Sequence, residues 1–525
     1  MKKLATLLLA TGLVFSSVSG ASAIDFKVKG EWLVSFDYGQ NGAFTGGNGK
    51  TGYGSSRYED EFEAQQRLRF QIDAVASEAL SGQLFLEIGR QFWGSERMGS
   101  NGGALGADGN NAVKVRRAFI DWMPPQTDLK IRMGLQGLAL PSFTTESQIF
   151  NDDVAAVSLS YKFNDNVTLT GLWMRPYNDN FNNANTATTT YYPNSNYMDN
   201  VDMGALLLPL TFDGVKVTPW FVYAGIGPNF GDSARKLGDS GSFTNATLGT
   251  SAGQFRSGMF PAGGMFHKED GSSTDLKWPT SYGTAIWAGV TGEVTAFDPF
   301  RAAWDINYGS STWEDQGRLN RQGWLASLLF EYKLDWAIPG LYGWWSTGDD
   351  SNPANGSERM PYISTGNTNN LFSMYAGNGA PWNHTREGVL FNSMAGTWGI
   401  GVRLKDMSFL EDIKHTFRIN YMGGTNSPTF AKRYLSGKNE WHDDNHAANE
   451  GGLGRDPLYM TTLDSAVEFG LTTVYKMYDN FQVYVDANYI ATWLDKDVWG
   501  KSTMNGSNDD VRDPWNVNVT FVYSF

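Results

Sequence analysis

The chain has 525 residues, no cysteine, and a formal net charge of −14 from 41 Lys and Arg against 55 Asp and Glu. Disulfide bracing and thiolate chemistry are thereby excluded, and the acidic balance argues against a nucleic-acid partner, which is held by neutralising phosphates. A mean hydropathy of −0.36 beside 19 Trp, 23 Tyr, 32 Phe and 60 Gly suits strands that are apolar on one side only, as in a membrane β-barrel.

In chain order the first element is MKKLATLLLATGLVFSSVSGASA. Lys2 and Lys3 precede an apolar stretch from Leu4 to Phe15, followed by Ala21-Ser22-Ala23. This is the pattern of an export signal with an A-x-A cleavage site. The apolar stretch falls short of the ~20 residues that a membrane helix needs. Residues 1–23 are expected to be a cleaved signal peptide, leaving 24–525 as one domain; loss of Lys2 and Lys3 takes the charge from −14 to −16. No later apolar run is long enough for a transmembrane helix.

The segment DFKVKGEWLVSFDY follows. Phe26, Val28, Trp32, Val34, Phe36 and Tyr38 fall on one parity, with Asp25, Lys27, Lys29, Glu31, Ser35 and Asp37 on the other. EFEAQQRLRFQIDA repeats the pattern, with Phe62, Ala64, Leu68, Phe70 and Ile72 opposed to Glu61, Glu63, Arg67, Arg69 and Asp73. Successive strand residues point to opposite faces, so each segment is a strand with one apolar and one charged face. Strands of ten to fourteen residues are long for a soluble sandwich, where ~5–6 is usual.

The same reading predicts strands at 25–38, 61–74, 80–92, 113–123, 129–136, 153–163, 167–177, 201–211 and 215–224. The second half adds 282–292, 300–308, 323–333, 341–347, 396–404, 415–423, 464–476, 481–493 and 515–525. Short connections (NDN at 164–166, FDG at 212–214, TAFDP at 295–299, MYDN at 477–480) alternate with long ones. The long ones are 39–60, 93–111, 178–199, 225–280, 349–395, 425–462 and 494–514. Short periplasmic turns and long external loops are the layout of a bacterial outer-membrane barrel. The expected fold is all-β: a transmembrane antiparallel β-barrel of about 18 strands, with 16 as the alternative.

The last strand, NVNVTFVYSF, keeps its alternation to the final residue, with Val517, Val519, Phe521, Tyr523 and Phe525 on one face. An open edge in lipid leaves backbone groups unpaired, so this strand is expected to close on the first, with Phe525 at the periplasmic interface. Tyr38, Phe62, Phe92 and Tyr177 are expected at the external interface, and Phe26, Trp122, Phe163 and Phe525 at the periplasmic one, as two aromatic girdles.

A barrel this wide leaves an aqueous channel. Parity places Arg67 and Arg69, Lys130 and Arg132 on its inner face. Arg117 joins them if Ala118, Ile120 and Trp122 face lipid. These five residues are the expected pore-lining basic wall; mutually paired, solvated charges are the equal alternative. The segment GLQGLALPSFTTESQIFNDDV (134–154) is less glycine-rich than the other long connections. It is expected to fold inward and to oppose the wall with Glu146, Asp152 and Asp153, setting a transverse field at the constriction.

RLRF (67–70), VRRAFIDW (115–122), the inward third loop and the terminal Phe together resemble the general bacterial porins. IDFKVKGEWLVSFDYG (24–39), RAFIDW (117–122) and the last strand are more closely similar to the outer-membrane homotrimeric porins of sulfate-reducing bacteria. The resemblance covers essentially all of 24–525. It implies an outer-membrane channel for passive diffusion of small hydrophilic solutes and ions, assembled as a homotrimer in outer-membrane lipid. Phe521, Tyr523 and Phe525 resemble the assembly signal of outer-membrane proteins, implying insertion by the barrel assembly machinery.

Other classes remain open. A sugar- or substrate-selective porin is supported by loop Trp313, Trp382 and Trp441, which suit stacking on sugars. A surface adhesin or structural barrel would share the fold. An outer-membrane enzyme needs a nucleophile with a base in reach, but His267, His384, His415, His442 and His446 stand in no recognisable Ser/His arrangement. His442 and His446 with Asp443 and Asp444 have metal-ligating residue types, yet WHDDNHAANEGG lacks a helical pattern. No catalytic residue, metal or cofactor is expected.

Overall fold

The alternation described above is realised as long antiparallel strands. The computed structural model describes residues 24–40, 61–94, 113–178, 198, 200–228, 258–261, 279–314, 316–352, 354–364, 393–432, 459–495, 497–498 and 513–525. The expected signal segment 1–23 and much of the long connections lie outside the described residues.

The strands are β1 (Asp25–Gln40), β2 (Glu61–Ser77), β3 (Leu80–Phe92), β4 (Lys114–Trp122), β5 (Leu129–Ala139), β6 (Asn151–Lys162) and β7 (Thr168–Asn178). Then come β8 (Asn200–Leu207), β9 (Leu210–Phe212), β10 (Val215–Ile226), β11 (Gly283–Val294), β12 (Phe300–Thr312) and β13 (Arg321–Tyr332). The series ends with β14 (Ile338–Ser346), β15 (Thr397–Leu410), β16 (Ile413–Gly424), β17 (Ser465–Tyr478), β18 (Phe481–Trp493) and β19 (Trp515–Ser524). β8 and β9 both pair with β10. They are two halves of one stave, interrupted at Leu208-Pro209 because proline brings no N–H to the ladder. The described strands therefore make eighteen staves rather than sixteen, all antiparallel, and β1 pairs with both β2 and β19.

Closure runs from Glu31↔Ser524 to Gln40↔Trp515. Beyond it, Phe525 N–H donates to Gly30 O at 3.0 Å and Gly30 N–H to Phe525 O at 2.8 Å. The Phe525 ring occupies the space a side chain on residue 30 would need. Glycine at this place is the socket for the terminal aromatic.

The outer surface is apolar around its circumference. Trp32, Ile120, Phe330 and Ile400, on four well-separated staves, are each about half exposed. A soluble monomer rarely exposes so continuous an apolar area, so this face is solvated by lipid. Phe26, Trp122, Phe163 and Phe525 are exposed on it near the short turns, with Phe297, Phe300, Phe409 and Tyr478 beside them. Tyr38 and Phe62 are exposed near the opposite rim.

Two expected girdle residues face inward instead. An irregularity between Gln66 and Arg67 pairs Phe92 with the fully buried Gln65. Trp93 takes the outward place, edge-on to Phe36 at 5.5 Å. A second irregularity, after Met174, sets Tyr177 opposite the buried Val201. One extra residue inverts the parity of everything beyond it.

The lumen is partly filled. Three connections expected as external loops, with the β12–β13 connection that carries Trp313, send described segments into the barrel's external half. Phe260, Trp313, Met360, Met394, Phe430 and Met460 join the inward side chains Met203, Val222, Trp287 and Leu325 in one buried apolar cluster. Polar anchors fix these segments. Trp287 Nε1 donates to Pro361 O at 2.9 Å. The fully buried Arg321 guanidinium donates to the carbonyls of Phe260, Arg359 and Met360 at 3.0–3.1 Å. A buried charge is tolerated when its donors are satisfied in this way.

Candidate functional site in the barrel lumen

One group of charged lumen side chains lies on β1–β5. Arg67 and Arg69 stand on the inner parity of β2. Arg69 Nε meets Glu87 Oε2 at 2.7 Å, and Arg67 Nη2 lies 3.5 Å from Glu31 Oε1. On β5, Lys130 and Arg132 share Asp121 of β4. Arg132 grips both its oxygens, at 2.6 and 2.7 Å, and lies over the Phe119 ring at 4.0 Å. Such bidentate pairs fix direction as well as charge.

The Arg116-Arg117 pair behaves differently from the parity reading. The β3–β4 register slips between Phe85↔Arg117 and Leu86↔Val115, which leaves Arg116 as the extra residue of a bulge. Its guanidinium reaches Glu87 at 3.3 Å and Asp153 at 2.5 Å, while Arg117 Nε reaches Asp153 at 2.6 Å. Simple alternation assigns Arg116 to lipid; the bulge lets it share Glu87 with Arg69.

The constriction residues also fall differently. β5 continues to Ala139 and β6 begins at Asn151, so the connecting loop is 140–150 and Asp152 and Asp153 are strand residues. Asp152 accepts from Ser364 Oγ at 2.9 Å. Asp153 shares the outward parity of Leu159 and Tyr161, which are exposed on the lipid side. It pairs directly with Arg116 and Arg117 instead of facing the wall from across a gap. Glu146 is exposed and accepts from Asn151 Nδ2 at 2.5 Å.

Loop 140–150 lies inside the barrel: Thr144, Ser147, Gln148, Ile149 and Phe150 are buried. It reaches β11–β13. Asp305 accepts from Ser142 Oγ at 2.7 Å, from the N–H groups of Phe143 and Thr144 at 3.1 Å, and from the hydroxyls of Thr144 and Thr291. Arg301 Nη2 donates to Phe143 O at 2.9 Å.

A second charged row was not singled out in the sequence. It runs Lys216–Glu293–Arg301–Glu331–Arg403, with contacts of 2.9, 2.9, 2.7 and 2.6 Å. Alternation in FRAAWDINY, which sets Arg301 and Asp305 on one parity, was the available signal.

On the first wall, Arg67, Arg69, Lys114, Arg116, Lys130 and Arg132 meet the carboxylates Glu31, Glu87 and Asp121, while Arg116 and Arg117 also reach Asp153 on the outward parity. Lys27 and Lys29 with Asp25, Asp37, Glu63 and Asp73 share the inner parity of β1 and β2, so the two signs nearly balance on this side of the lumen.

Among the described residues no group of three His, Asp or Glu is placed to hold a metal. His415 sits 2.9 Å from Thr473 Oγ1. His267, His384, His442, His446, Trp382 and Trp441 lie outside the described residues. Trp313, a suggested sugar platform, is 1% exposed and stacks on Phe260 at 5.3 Å, so it is packing rather than a surface.

No protein-family model matches the chain, and no curated protein does. Among solved structures it is similar to OccAB3 of Acinetobacter baumannii, at 10% identity and TM-score 0.48, over 95% of this chain and 100% of that one. It is likewise similar to OprD of Pseudomonas aeruginosa, at 8% identity and TM-score 0.48, over 97% of each chain. OccAB2 of Acinetobacter baumannii matches at 11% identity and TM-score 0.48, over 95% of this chain and 98% of that one.

Proposed function

We propose that the chain is an outer-membrane porin, a water-filled channel through which small hydrophilic solutes and ions diffuse passively. The observation that carries this reading is the closed barrel with a lipid-facing exterior and a charged, partly exposed inner wall on β1–β5. An enzyme would need a nucleophile and base in contact. A structural barrel gains nothing from unburied guanidinia in its lumen.

The test is conductance and reversal potential of the purified protein in a planar bilayer. Exchanging Arg69→Glu and Arg132→Glu together is expected to move the reversal potential toward cations in dilute salt. The shift should shrink at 1 M salt, where the screening length is ~3 Å. A parent protein that does not conduct overturns the channel reading. A double variant that keeps the parent potential removes these residues from the pore.

The narrower assignment belongs to the same proposal: a homotrimer of the kind found in sulfate-reducing bacteria, inserted by the assembly machinery after loss of residues 1–23. One feature of the wall supports oligomerisation. The β4–β5 ladder covers only Ala118↔Leu135 to Trp122↔Ile131, although β4 begins at Lys114 and β5 runs on to Ala139. Above it, Arg117 lies against Gly137 and reaches outward-facing Asp153. Charged groups in contact with lipid are costly, and a neighbouring protomer over β2–β6 removes that cost. Trp32 and Phe36 on β1 extend the same face.

A further inference from the structure

A pocket of about 550 Å³ opens at the external end of the outward face, between β14, β15, β16 and the segment after β14. Its lining includes Trp345, Trp398, Thr347, Thr425, Thr462 and Glu358. Trp345 and Trp398 are register partners across β14 and β15, a placement that brings side chains within ~5 Å at their base. Trp345 is 50% exposed and Trp398 36%. The edge of Trp398 is braced by Tyr421 at 5.6 Å.

Above the indoles the chemistry turns polar. Glu358 Oε2 accepts from Asp350 N–H at 2.9 Å and Oε1 from Asn355 Nδ2 at 3.3 Å. These bonds hold the carboxyl at the pocket's edge. Burial, with Asp349 and Asp350 adding to it, pushes its pKa up to about 7. Both its accepting and donating forms are therefore accessible near neutrality. None of the described lining residues is Lys or Arg, so no described cation lines the pocket to pair with a phosphate.

Flat apolar faces edged by hydroxyls and one carboxyl complement a pyranose ring, which has an apolar C–H face and a rim of hydroxyls. We propose that this pocket binds the neutral sugar headgroup of a glycolipid in the outer leaflet. The lipid source follows from position. Trp345 and Trp398 top the outward row that continues through Leu341, Ile400 and Val402, each about half exposed. A headgroup on the indoles leaves its acyl chains along that row. The proposal rests on the barrel lying in an outer membrane.

The test reconstitutes the full chain in phosphatidylethanolamine vesicles containing monoglucosyl diacylglycerol with a photoreactive diazirine on its sugar. Labelling is expected in 339–348 and 397–403. Unlabelled monoglucosyl diacylglycerol should displace it and phosphatidylglycerol should not. Trp345→Ala combined with Glu358→Gln should weaken it about tenfold, equivalent to roughly 1.4 kcal/mol. Labelling spread evenly over the outward face overturns the site. Equal displacement by phosphatidylglycerol overturns the sugar specificity, and displacement by soluble methyl glucoside overturns the lipid source. If the double variant does not fold, the parent's labelling and competition decide alone. Conductance of the same preparation separates the two readings: a conducting barrel without this labelling refutes the site, and labelling without conductance refutes the channel.

Discussion

Asp305 holds more of the lumen's shape than its place in the sequence suggests. It is 2% exposed and gathers both backbone and side-chain donors of residues 142–144. Replacing it by alanine strands buried donors, at about 1–3 kcal/mol for each group left unpaired. The Asp305→Ala variant is expected to release loop 140–150, raise single-channel conductance and lower the melting temperature; unchanged conductance would show that the loop does not limit the pore. Glu358 offers a pH handle. Its raised pKa means that the folded state binds the proton more tightly than the unfolded state does. Its contribution to stability is therefore full below the ordinary glutamate value and lost as pH rises to about 7, with no further change above. The melting temperature of the parent should fall across that window relative to Glu358→Gln, and parallel curves for the two proteins would contradict the assignment. At this scale alternation found the inner-row positions of Arg67, Arg69, Lys130 and Arg132. It missed Arg116, because a bulge is a local backbone choice that the polar–apolar pattern does not record.

At the scale of elements, closure depends on β1 and β19 meeting in one register. The Phe525 ring fits only because residue 30 has no side chain. Deleting Phe525 and substituting Gly30→Leu are expected to give the same defect: less heat-modifiable, folded barrel on unboiled gels. The first removes the terminal aromatic and the second its socket. Full assembly of the Gly30→Leu protein would show that the ring can sit elsewhere. Most strand positions were legible from alternation because only one face of each is apolar. The break at Pro209 divides the expected 201–211 strand, and β5 outruns its expected end at 136 by three residues. β6 begins at Asn151 rather than at 153, which makes Asp152 a strand residue beside Asp153.

For the whole molecule, the open β4–β5 seam makes a prediction about assembly. If a second copy covers it, cutting the Arg117–Asp153 contact alters the subunit interface more than the barrel. Arg117→Ala with Asp153→Ala is expected to lower the trimer's melting temperature on unboiled gels while single-channel conductance persists. A parent that is monomeric by light scattering in detergent would end the trimer proposal. The sequence by itself determined the architecture, long half-apolar strands with tight turns alternating with long connections, because exposure to lipid on one side and water on the other imposes a two-residue period on every stave; the choice of eighteen staves over sixteen came from the strand pairing. Only the tertiary structure decided which connections turn inward, how Asp305 captures residues 142–144, and where Asp153 finds Arg116 and Arg117. Those contacts join residues far apart along the chain, or depend on a register slip, and no local pattern carries their energies.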